Sequence, residues 1–207
     1  MTYIDYENWP RRELYEHFLG VSDPFYSVTY RQDVTKLCGY CKAHKLSFYL
    51  SLTYLVTKAV NAVENFRYTI ENGRVALLDE RVPSFCDLLP GSELFHVVTL
   101  PAGGDMAAFC AAAKEKSAAQ TAFLDTGAEN DGLIFISCAP WVDLTGLTNE
   151  RDFHVEDAVP RIAWGKYVEE NGRKVLGMSL EVTHRFIDGY HIGKFAEELT
   201  KRIEQLA

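Results

Sequence analysis

The residues best suited to chemistry lie near the end of the chain, where His184 is followed by Asp188 and Gly189. A neutral imidazole can take a proton from a reacting hydroxyl, because its pKa lies near the working pH of most enzymes. Asp188 is a candidate N-cap of a following helix, and Gly189 is a candidate for easing the turn. A single histidine is more often structural than catalytic, so its role depends on the elements that hold it.

Hydrophobic periodicity places this stretch between a strand and a helix. Apolar residues alternate with small or polar ones from Lys174 to Val182, which predicts a β-strand. From Ile192 to Leu206 the apolar residues recur at helical spacing, which predicts an amphipathic helix. His184 therefore lies at a strand-to-helix turn, where it is held rigidly and can still reach a ligand.

The string from His184 to Phe195 resembles the HxxxDG signature of coenzyme-A-dependent acyltransferases. Over its whole length the string is similar to the chloramphenicol acetyltransferase family. The opening string Asn8-Trp-Pro-Arg-Arg-Glu13 and the run from Phe48 to Asn61 resemble the same family. The resemblance spans nearly the whole chain, so it implies one chloramphenicol acetyltransferase-like domain over residues 1–207.

The resemblance implies a role for several residues. His184 is expected to be the general base, with direct acetyl transfer and no acyl-enzyme. Asp188 is expected to pair with Arg11 and so to anchor the turn that carries His184. Without the family, Asp188 is an ordinary helix cap and Arg11 is a surface charge. Lys166 and Tyr167 resemble a pair that contacts the coenzyme, and an ordinary strand-end pair is the alternative.

The chain departs from the family pattern where the oxyanion and the acceptor are bound. A serine that steadies the oxyanion falls on Gly146, and a threonine that helps it falls on Ala163. Thr145 or a backbone N–H near Gly146 is a candidate substitute. A tyrosine of the acceptor pocket falls on Phe18, and a coenzyme-contacting lysine falls on Ser47.

Two functions stay open on the sequence alone. The first is an acetyl-CoA-dependent O-acetyltransferase that acts in a ternary complex on a small hydroxylated acceptor, chloramphenicol or a related compound. The second is a catalytically weak or inactive relative that binds a CoA thioester or a small ligand. Transfer from a carrier-bound lipoyl or pantetheine arm is less favoured, because the chain has no carrier domain.

The resemblance also implies a homotrimer with active sites at subunit interfaces. Acetyl-CoA is expected as a co-substrate, and no permanently bound cofactor is expected.

Composition restricts the class of protein. Hydrophobic residues make up 47% and charged residues 24%, as in ordinary globular proteins. The formal net charge of −8 argues against nucleic acid as a partner. No apolar run approaches the ~20 residues of a membrane span, and the polar amino terminus is unlike a signal peptide. We therefore expect a cytoplasmic protein without a membrane partner.

Cysteine usage predicts free thiols rather than a disulfide framework, since the five cysteines are an odd number in a chain that is expected to be cytoplasmic. Cys38 and Cys41 have C-x-x-C spacing, but no second Cys or His pair stands at ligand spacing. No metal site is predicted.

Strand patterns outnumber helical ones along the chain. Asn-Gly turns predict two hairpins, at 71–74 and 169–172. A helix is expected to start at Asn8, and a polar loop is expected over 126–131. Further helices are predicted over 35–45, 47–64 and 105–119, and strands over 25–30, 66–70, 75–78, 82–88, 94–100, 133–137, 162–168 and 174–182. This pattern predicts an α+β two-layer sandwich, with a mostly antiparallel mixed sheet and helices on one face, as in coenzyme-A-dependent acyltransferases.

Overall fold

A mixed sheet of seven strands forms the frame of the protein in a computed structural model that describes residues 1–128 and 130–207. In chain order the strands are β1 (Thr2–Tyr3), β2 (Phe25–Asp33), β3 (Tyr68–Glu71), β4 (Arg74–Leu77), β5 (Val82–Leu88), β6 (Phe95–Thr99), β7 (Leu133–Ala139), β8 (Arg161–Gly165), β9 (Val168–Glu170) and β10 (Arg173–Thr183). The main sheet has the order β2-β10-β8-β7-β5-β6, with β9 on the end of β10. Only β5–β7 and β7–β8 are parallel among the described pairs. The predicted mostly antiparallel sheet is therefore confirmed.

The described residues also form five α-helices, and α2 to α5 pack against the main sheet. They are α1 (Arg12–Leu19), α2 (Thr35–His44), α3 (Phe48–Ala62), α4 (Met106–Ala119) and α5 (Gly189–Glu204). Helix α3 is central, since it contacts α2, α4 and α5 as well as β5 and β7. Its apolar face, which includes Leu52 and Val56, is fully buried. The two-layer α+β architecture predicted from the sequence is confirmed. None of the described helices combines the length and the apolar composition of a membrane span.

The hairpins and most boundaries agree with the sequence prediction. The turn residues Asn72 and Gly73, and likewise Asn171 and Gly172, have positive φ angles between 50° and 77°, as a tight two-residue hairpin turn requires. Strands β1, β4 and β3 form a separate antiparallel sheet. The loop predicted over 126–131 includes Glu129, which lies outside the described residues.

Three predicted boundaries are wrong. Asn8 does not cap α1, because it ends a short 3₁₀ turn and its amide donates to Asp5 at 2.8 Å. The strand predicted from residue 66 starts at Tyr68, because a second 3₁₀ turn covers 64–67. The strand predicted over 162–168 is broken at Lys166, whose N–H leaves the sheet and donates to the carbonyl of Val142 at 2.7 Å.

Strand β10 is buried on both faces, since every residue from Val175 to Thr183 is buried. Successive side chains of a strand point to opposite faces, so both faces must be covered. Leu176 and Met178 belong to the hydrophobic core. The opposite face is covered by residues 142–149, here called the cover segment.

Two glycines let the cover segment lie directly against the sheet. A Cβ on Gly177 would lie 1.7 Å from the carbonyl oxygen of Leu144. A Cβ on Gly165 would lie 2.5 Å from the carbonyl oxygen of Val142. These distances are far below a normal contact, so the two positions accept no side chain unless the cover segment moves.

Polar contacts carry the cover segment farther along β10. The Ser179 hydroxyl donates to the carbonyl of Leu147 at 3.3 Å. The Glu181 carboxylate accepts from the backbone N–H of Asn149 at 2.7 Å. The cover segment therefore follows β10 from Gly177 towards Glu181.

We predict that Gly177→Ala lowers the free energy of unfolding by about 1–3 kcal/mol or more, because the new methyl group displaces the backbone at Leu144. The matched control is Gly39→Ala in α2, where a Cβ meets no atom within 4 Å. This control is expected to leave stability unchanged or to raise it by up to ~1 kcal/mol. Urea unfolding of both variants measures the difference. Equal midpoints would show that the cover segment does not press on β10.

Candidate active site

His184 lies one residue beyond β10, at the edge of the sheet. Its backbone N–H donates to the carbonyl of Pro24 at 2.8 Å, which ties it to the start of β2. Its ring stacks on Phe18, with centroids 4.3 Å apart and planes 19° apart. The Tyr26 ring also contacts the imidazole, with ring centroids 4.4 Å apart and ring planes 36° apart. The two rings fix the imidazole plane, yet 38% of the side chain stays exposed, so the imidazole is oriented and open to a ligand.

Arg11 holds the turn that carries His184. Its guanidinium donates to both carboxylate oxygens of Asp188, at 2.6 Å each. It also donates to the carbonyls of His184 and Arg185, at 2.9 Å each. Bidentate contacts of this kind are strong and geometrically specific. Arg11 is buried, so it acts as an internal clamp on residues 184–188 rather than as a surface charge.

Asp188 combines the helix-start position with the ion pair. It occupies the N-cap position of α5, and its backbone N–H donates to Nδ1 of His191 at 3.0 Å. Hydrogen bonds from Arg11 lower the pKa of the Asp188 carboxyl. Burial lowers the pKa of His191, which favours the neutral ring that Nδ1 needs to accept a hydrogen bond. The two sequence interpretations of Asp188 therefore describe one arrangement.

The Asp188 carboxylate is not hydrogen-bonded to His184, because its Oδ1 lies 3.6 Å from Nε2 of that ring. The residue anchors the turn through Arg11. Gly189 opens α5, but φ there is not positive and a Cβ would meet no atom within 4 Å. Within one chain, the turn therefore does not require glycine at this position.

The predicted coenzyme residues lie at the opposite end of β10. Lys166 and Tyr167 follow β8, in which Trp164 pairs with Met178 of β10. His184 is six residues beyond Met178, which corresponds to about 20 Å at ~3.3 Å per residue. Lys166 and Tyr167 line a cavity of about 550 Å³ together with the rings of Phe48, Tyr49, Phe95, Trp141 and Trp164.

The predicted oxyanion region also lies away from His184. Thr145 and Gly146 are exposed residues of the cover segment, between Leu144, which contacts Gly177, and Leu147. Gly146 does not have a positive φ, and a Cβ there would meet no atom within 4 Å. Neither backbone conformation nor crowding within this chain therefore demands glycine at 146.

The candidate residues thus form two groups. His184, Asp188, Gly189, Arg11 and Phe18 are together at one end of β10. Thr145, Gly146, Lys166 and Tyr167 are at the other end, which we call the cavity end. In one copy of the chain the two groups do not meet.

Sequence reasoning missed several residues of the site. Tyr26 contacts His184 because β2 pairs with β10 and places Tyr26 opposite Val182. Two distant strands make this contact, so no local pattern shows it. His191 lies within the string from His184 to Phe195, but its contact with Asp188 was not predicted. The available signal was that His191 follows Asp188 by three residues, the spacing at which side chains meet at a helix start. The departures at Ser47 and Ala163 fall on the N-cap of α3 and on a buried position of β8.

The architecture first defines a class of protein. A dihydrolipoamide acetyltransferase from Azotobacter vinelandii has a similar fold, with a TM-score of 0.72 at 17% sequence identity. That match covers 93% of this chain and 86% of that chain. The protein therefore has the fold of the coenzyme-A-dependent acyltransferases.

More similar proteins define the family. The model of the family described as chloramphenicol acetyltransferase matches residues 1–200. A chloramphenicol acetyltransferase of Campylobacter coli is 28% identical over 202 residues, 96% of each chain. The solved structure of a chloramphenicol acetyltransferase has a TM-score of 0.90 at 27% identity and covers 98% of this chain and 100% of that chain. The chain belongs to the chloramphenicol acetyltransferase family and is an acyltransferase, as the HxxxDG string indicated.

We predict that the Arg11–Asp188 contact couples two substitutions. Arg11→Ala should lower the free energy of unfolding by about 3 kcal/mol, because it leaves a carboxylate and two carbonyls without their donor. Asp188→Asn should cost roughly 1–2 kcal/mol, because an amide still accepts from the guanidinium. The double variant should cost less than the sum of the two. Chemical unfolding of all four proteins measures the coupling, and additive losses would contradict the contact.

The pH dependence of the free energy of unfolding provides a control for this comparison of single and double variants. Arg11 lowers the pKa of Asp188 in the folded protein, so the contact stabilises above the unfolded-state pKa, about 3.9. Its contribution is lost as the pH falls through the lowered pKa. The stability difference between wild type and Asp188→Asn should therefore be present at pH 7 and shrink below about pH 4.

Proposed function

We propose that the protein is an acetyl-CoA-dependent O-acetyltransferase in which His184 is the general base. The observation that carries the proposal is the imidazole itself, which is fixed between Phe18 and Tyr26 on a turn clamped by Arg11. A rigid base that is open to a ligand suits proton transfer. Small hydroxylated compounds are the acceptor class, and the family relationship makes chloramphenicol the first to test.

The proposed reaction needs no covalent intermediate on the enzyme. His184 takes the proton of the acceptor hydroxyl as the oxygen forms a bond to the thioester carbonyl carbon. The tetrahedral intermediate then expels the thiolate of coenzyme A, which receives the proton from the imidazolium. Lys166 and Tyr167 are proposed to bind the coenzyme, with the lysine beside a phosphate and the tyrosine stacked on adenine. Both substrates must therefore be bound together, as a ternary complex.

The separation of the two groups of candidate residues supports an interfacial site. Acyl transfer requires reacting atoms about 3–3.5 Å apart, whereas His184 is about 20 Å along β10 from the position opposite Trp164, and the coenzyme residues lie beyond Trp164. We propose that the His184 end of one copy meets the cavity end of the next in a closed homotrimer. A ring of this kind repeats one heterologous contact until it closes.

Exposed apolar side chains are available for that contact. Trp141 is 73% exposed, Val142 56%, Phe153 69% and Val155 59%. Large exposed apolar residues on a globular domain often mark interaction surfaces. Trp141 and Val142 stand beside the cavity end, which fits the proposed assembly.

The strands of the main sheet span 25–183, which supports a single domain over residues 1–207. The use of acetyl-CoA favours a cytoplasmic location.

A weak or inactive relative is the second candidate function, because the oxyanion site of the family lacks its hydroxyl here. Thr145 is exposed and lies next to Gly146, so it is the nearest substitute donor. Calorimetry with coenzyme A, combined with a thiol-release assay over an acceptor panel, separates the two functions. Binding of coenzyme A without thiol release for any acceptor would support the binding module.

We predict that His184→Ala lowers acetyl transfer about 10²–10⁴-fold while the oligomer and its unfolding midpoint persist. His44→Ala is the matched control, because His44 is an exposed histidine in α2. Steady-state thiol release with the best acceptor measures both variants. Wild-type turnover in His184→Ala would overturn the assignment of the base.

Mixed oligomers test the interfacial site. A second variant combines Lys166→Glu with Tyr167→Ala. It is expected to be inactive because its cavity end no longer binds coenzyme A. Co-expression of this variant and His184→Ala with different tags gives trimers that contain both. Each mixed trimer has one interface with both intact halves, so it should recover about one third of the wild-type rate. No recovery in intact mixed trimers would show that each copy works alone.

We predict that Gly146→Ser raises the rate, because the position has room for a Cβ and the hydroxyl can donate to the oxyanion. One such donor is worth up to ~10²–10³-fold, and an unadapted pocket delivers less. Thr145→Val is the companion variant, and its rate falls if Thr145 supplies the present donor. Turnover and unfolding midpoints of both variants are compared. A slower but equally stable Gly146→Ser protein would contradict the proposed oxyanion position.

A further inference from the structure

We propose that the acceptor carries a protonated amine beside an apolar or aromatic body, and that Asp87 at the cavity end binds this amine. The proposal rests on the proposed function, since it names the acceptor class of the same enzyme. Asp87 belongs to β5 and lines the 550 Å³ cavity that also contains Lys166 and Tyr167. No motif in the sequence singled out this residue.

The walls of the cavity suit a flat apolar group. Its lining is mostly aromatic, sulfur-containing or aliphatic, and includes Phe48, Tyr49, Cys86, Phe95, Cys138 and Trp164. Aromatic faces and edges bind rings and also attract cations. A carboxylate in such surroundings is costly to desolvate unless a positive charge or donors face it.

A hydrogen-bond chain orients the Asp87 carboxylate. The Ser117 hydroxyl, on α4, donates to Oδ2 of Asp87 at 2.6 Å. The same hydroxyl oxygen lies 2.9 Å from Nε2 of His96. A hydroxyl has one proton to give, so His96 must donate to Ser117, and its Nε2 carries the hydrogen. His96 is buried. Ser117 therefore holds one carboxylate oxygen, and the described residues donate no hydrogen bond to the other.

Charge is separated across the cavity. Lys166 follows β8, whereas Asp87 is on β5 and Glu93 just precedes β6. Two strand spacings separate β8 from β5, about 10 Å. Phosphates of a coenzyme are attracted by Lys166 and repelled by the two carboxylates. The acidic side of the cavity is thus left to the acceptor, and it favours a cation.

The Trp164 ring forms one of the apolar walls of the cavity, and the side chain is 1% exposed. A ligand can pack its apolar body against this wall while its ammonium group pairs with Asp87.

The probes for the test are two derivatives of 2-amino-1-(4-nitrophenyl)propane-1,3-diol, the amine that remains when chloramphenicol loses its acyl group. The N,N-dimethylamino derivative is protonated at neutral pH and cannot be acetylated on nitrogen. The N-acetyl derivative has a similar size and is neutral. Both keep the same hydroxyls, so charge is the main difference between them.

We expect wild-type kcat/KM to favour the dimethylamino probe at least tenfold. Asp87→Asn should lower kcat/KM for that probe about tenfold and change the value for the N-acetyl probe less than twofold. Ser117→Ala should lower the same preference by a smaller factor, because Asp87 loses its orientation. Glu115→Gln is the matched control, since it removes an exposed carboxylate of α4 that does not line the cavity, and its effect should stay below about threefold.

Equal use of the two probes by wild type, or an equal loss for both in Asp87→Asn, would overturn the proposal. Calorimetric binding of the probes to the wild-type oligomer in the presence of coenzyme A separates this failure from failure of the enzyme assignment. If no acceptor is acetylated, the proposed function fails. Tighter binding of the dimethylamino probe would still support the role of Asp87, and equal binding or none would overturn it.

Discussion

The contact between Arg11 and Asp188 joins residues 177 positions apart in the chain. One partner stands just before α1 and the other starts α5, so the ion pair locks the beginning of the chain to its end. Burying a guanidinium is unfavourable unless its hydrogens are used. Here they bind both carboxylate oxygens and two backbone carbonyls, so the turn at 184–188 is fixed by the same side chain that would be costly to leave unpaired.

The position of His184 follows from that clamp together with two other constraints. Strand β10 brings the residue to the edge of the sheet, and pairing with β2 supplies Tyr26. Helix α1, anchored by Arg11, supplies Phe18. The orientation of the imidazole therefore depends on three elements from different parts of the chain. A local change in any one of them is therefore expected to alter the position of the ring.

The sequence was informative where local chemistry decides the structure. The Asn-Gly hairpins, the helices α3 and α4, and the strand-to-helix turn after β10 follow from turn propensity and periodicity. Other features depend on contacts between distant residues. The glycine at 177 is explained only by the carbonyl of Leu144, and α1 starts later than expected because residues 6–8 form a 3₁₀ turn. The sequence motifs identify candidate residues but do not give the distances between them. Only the strand pairing shows that these residues lie in two groups, one at each end of β10.

The strand order has a consequence for how the chain is made. Strand β2 joins the main sheet through β10, and β10 also supplies the second neighbour of β8. Yet β10 is synthesised about 140 residues after β2, which corresponds to on the order of ten seconds on a ribosome. During that interval β2 has no partner in the sheet, and β8 has an open edge for as long as β10 is missing. The last long strand to emerge therefore closes the sheet, and a nascent chain that stalls before it presents two unpaired edges to chaperones and to other chains.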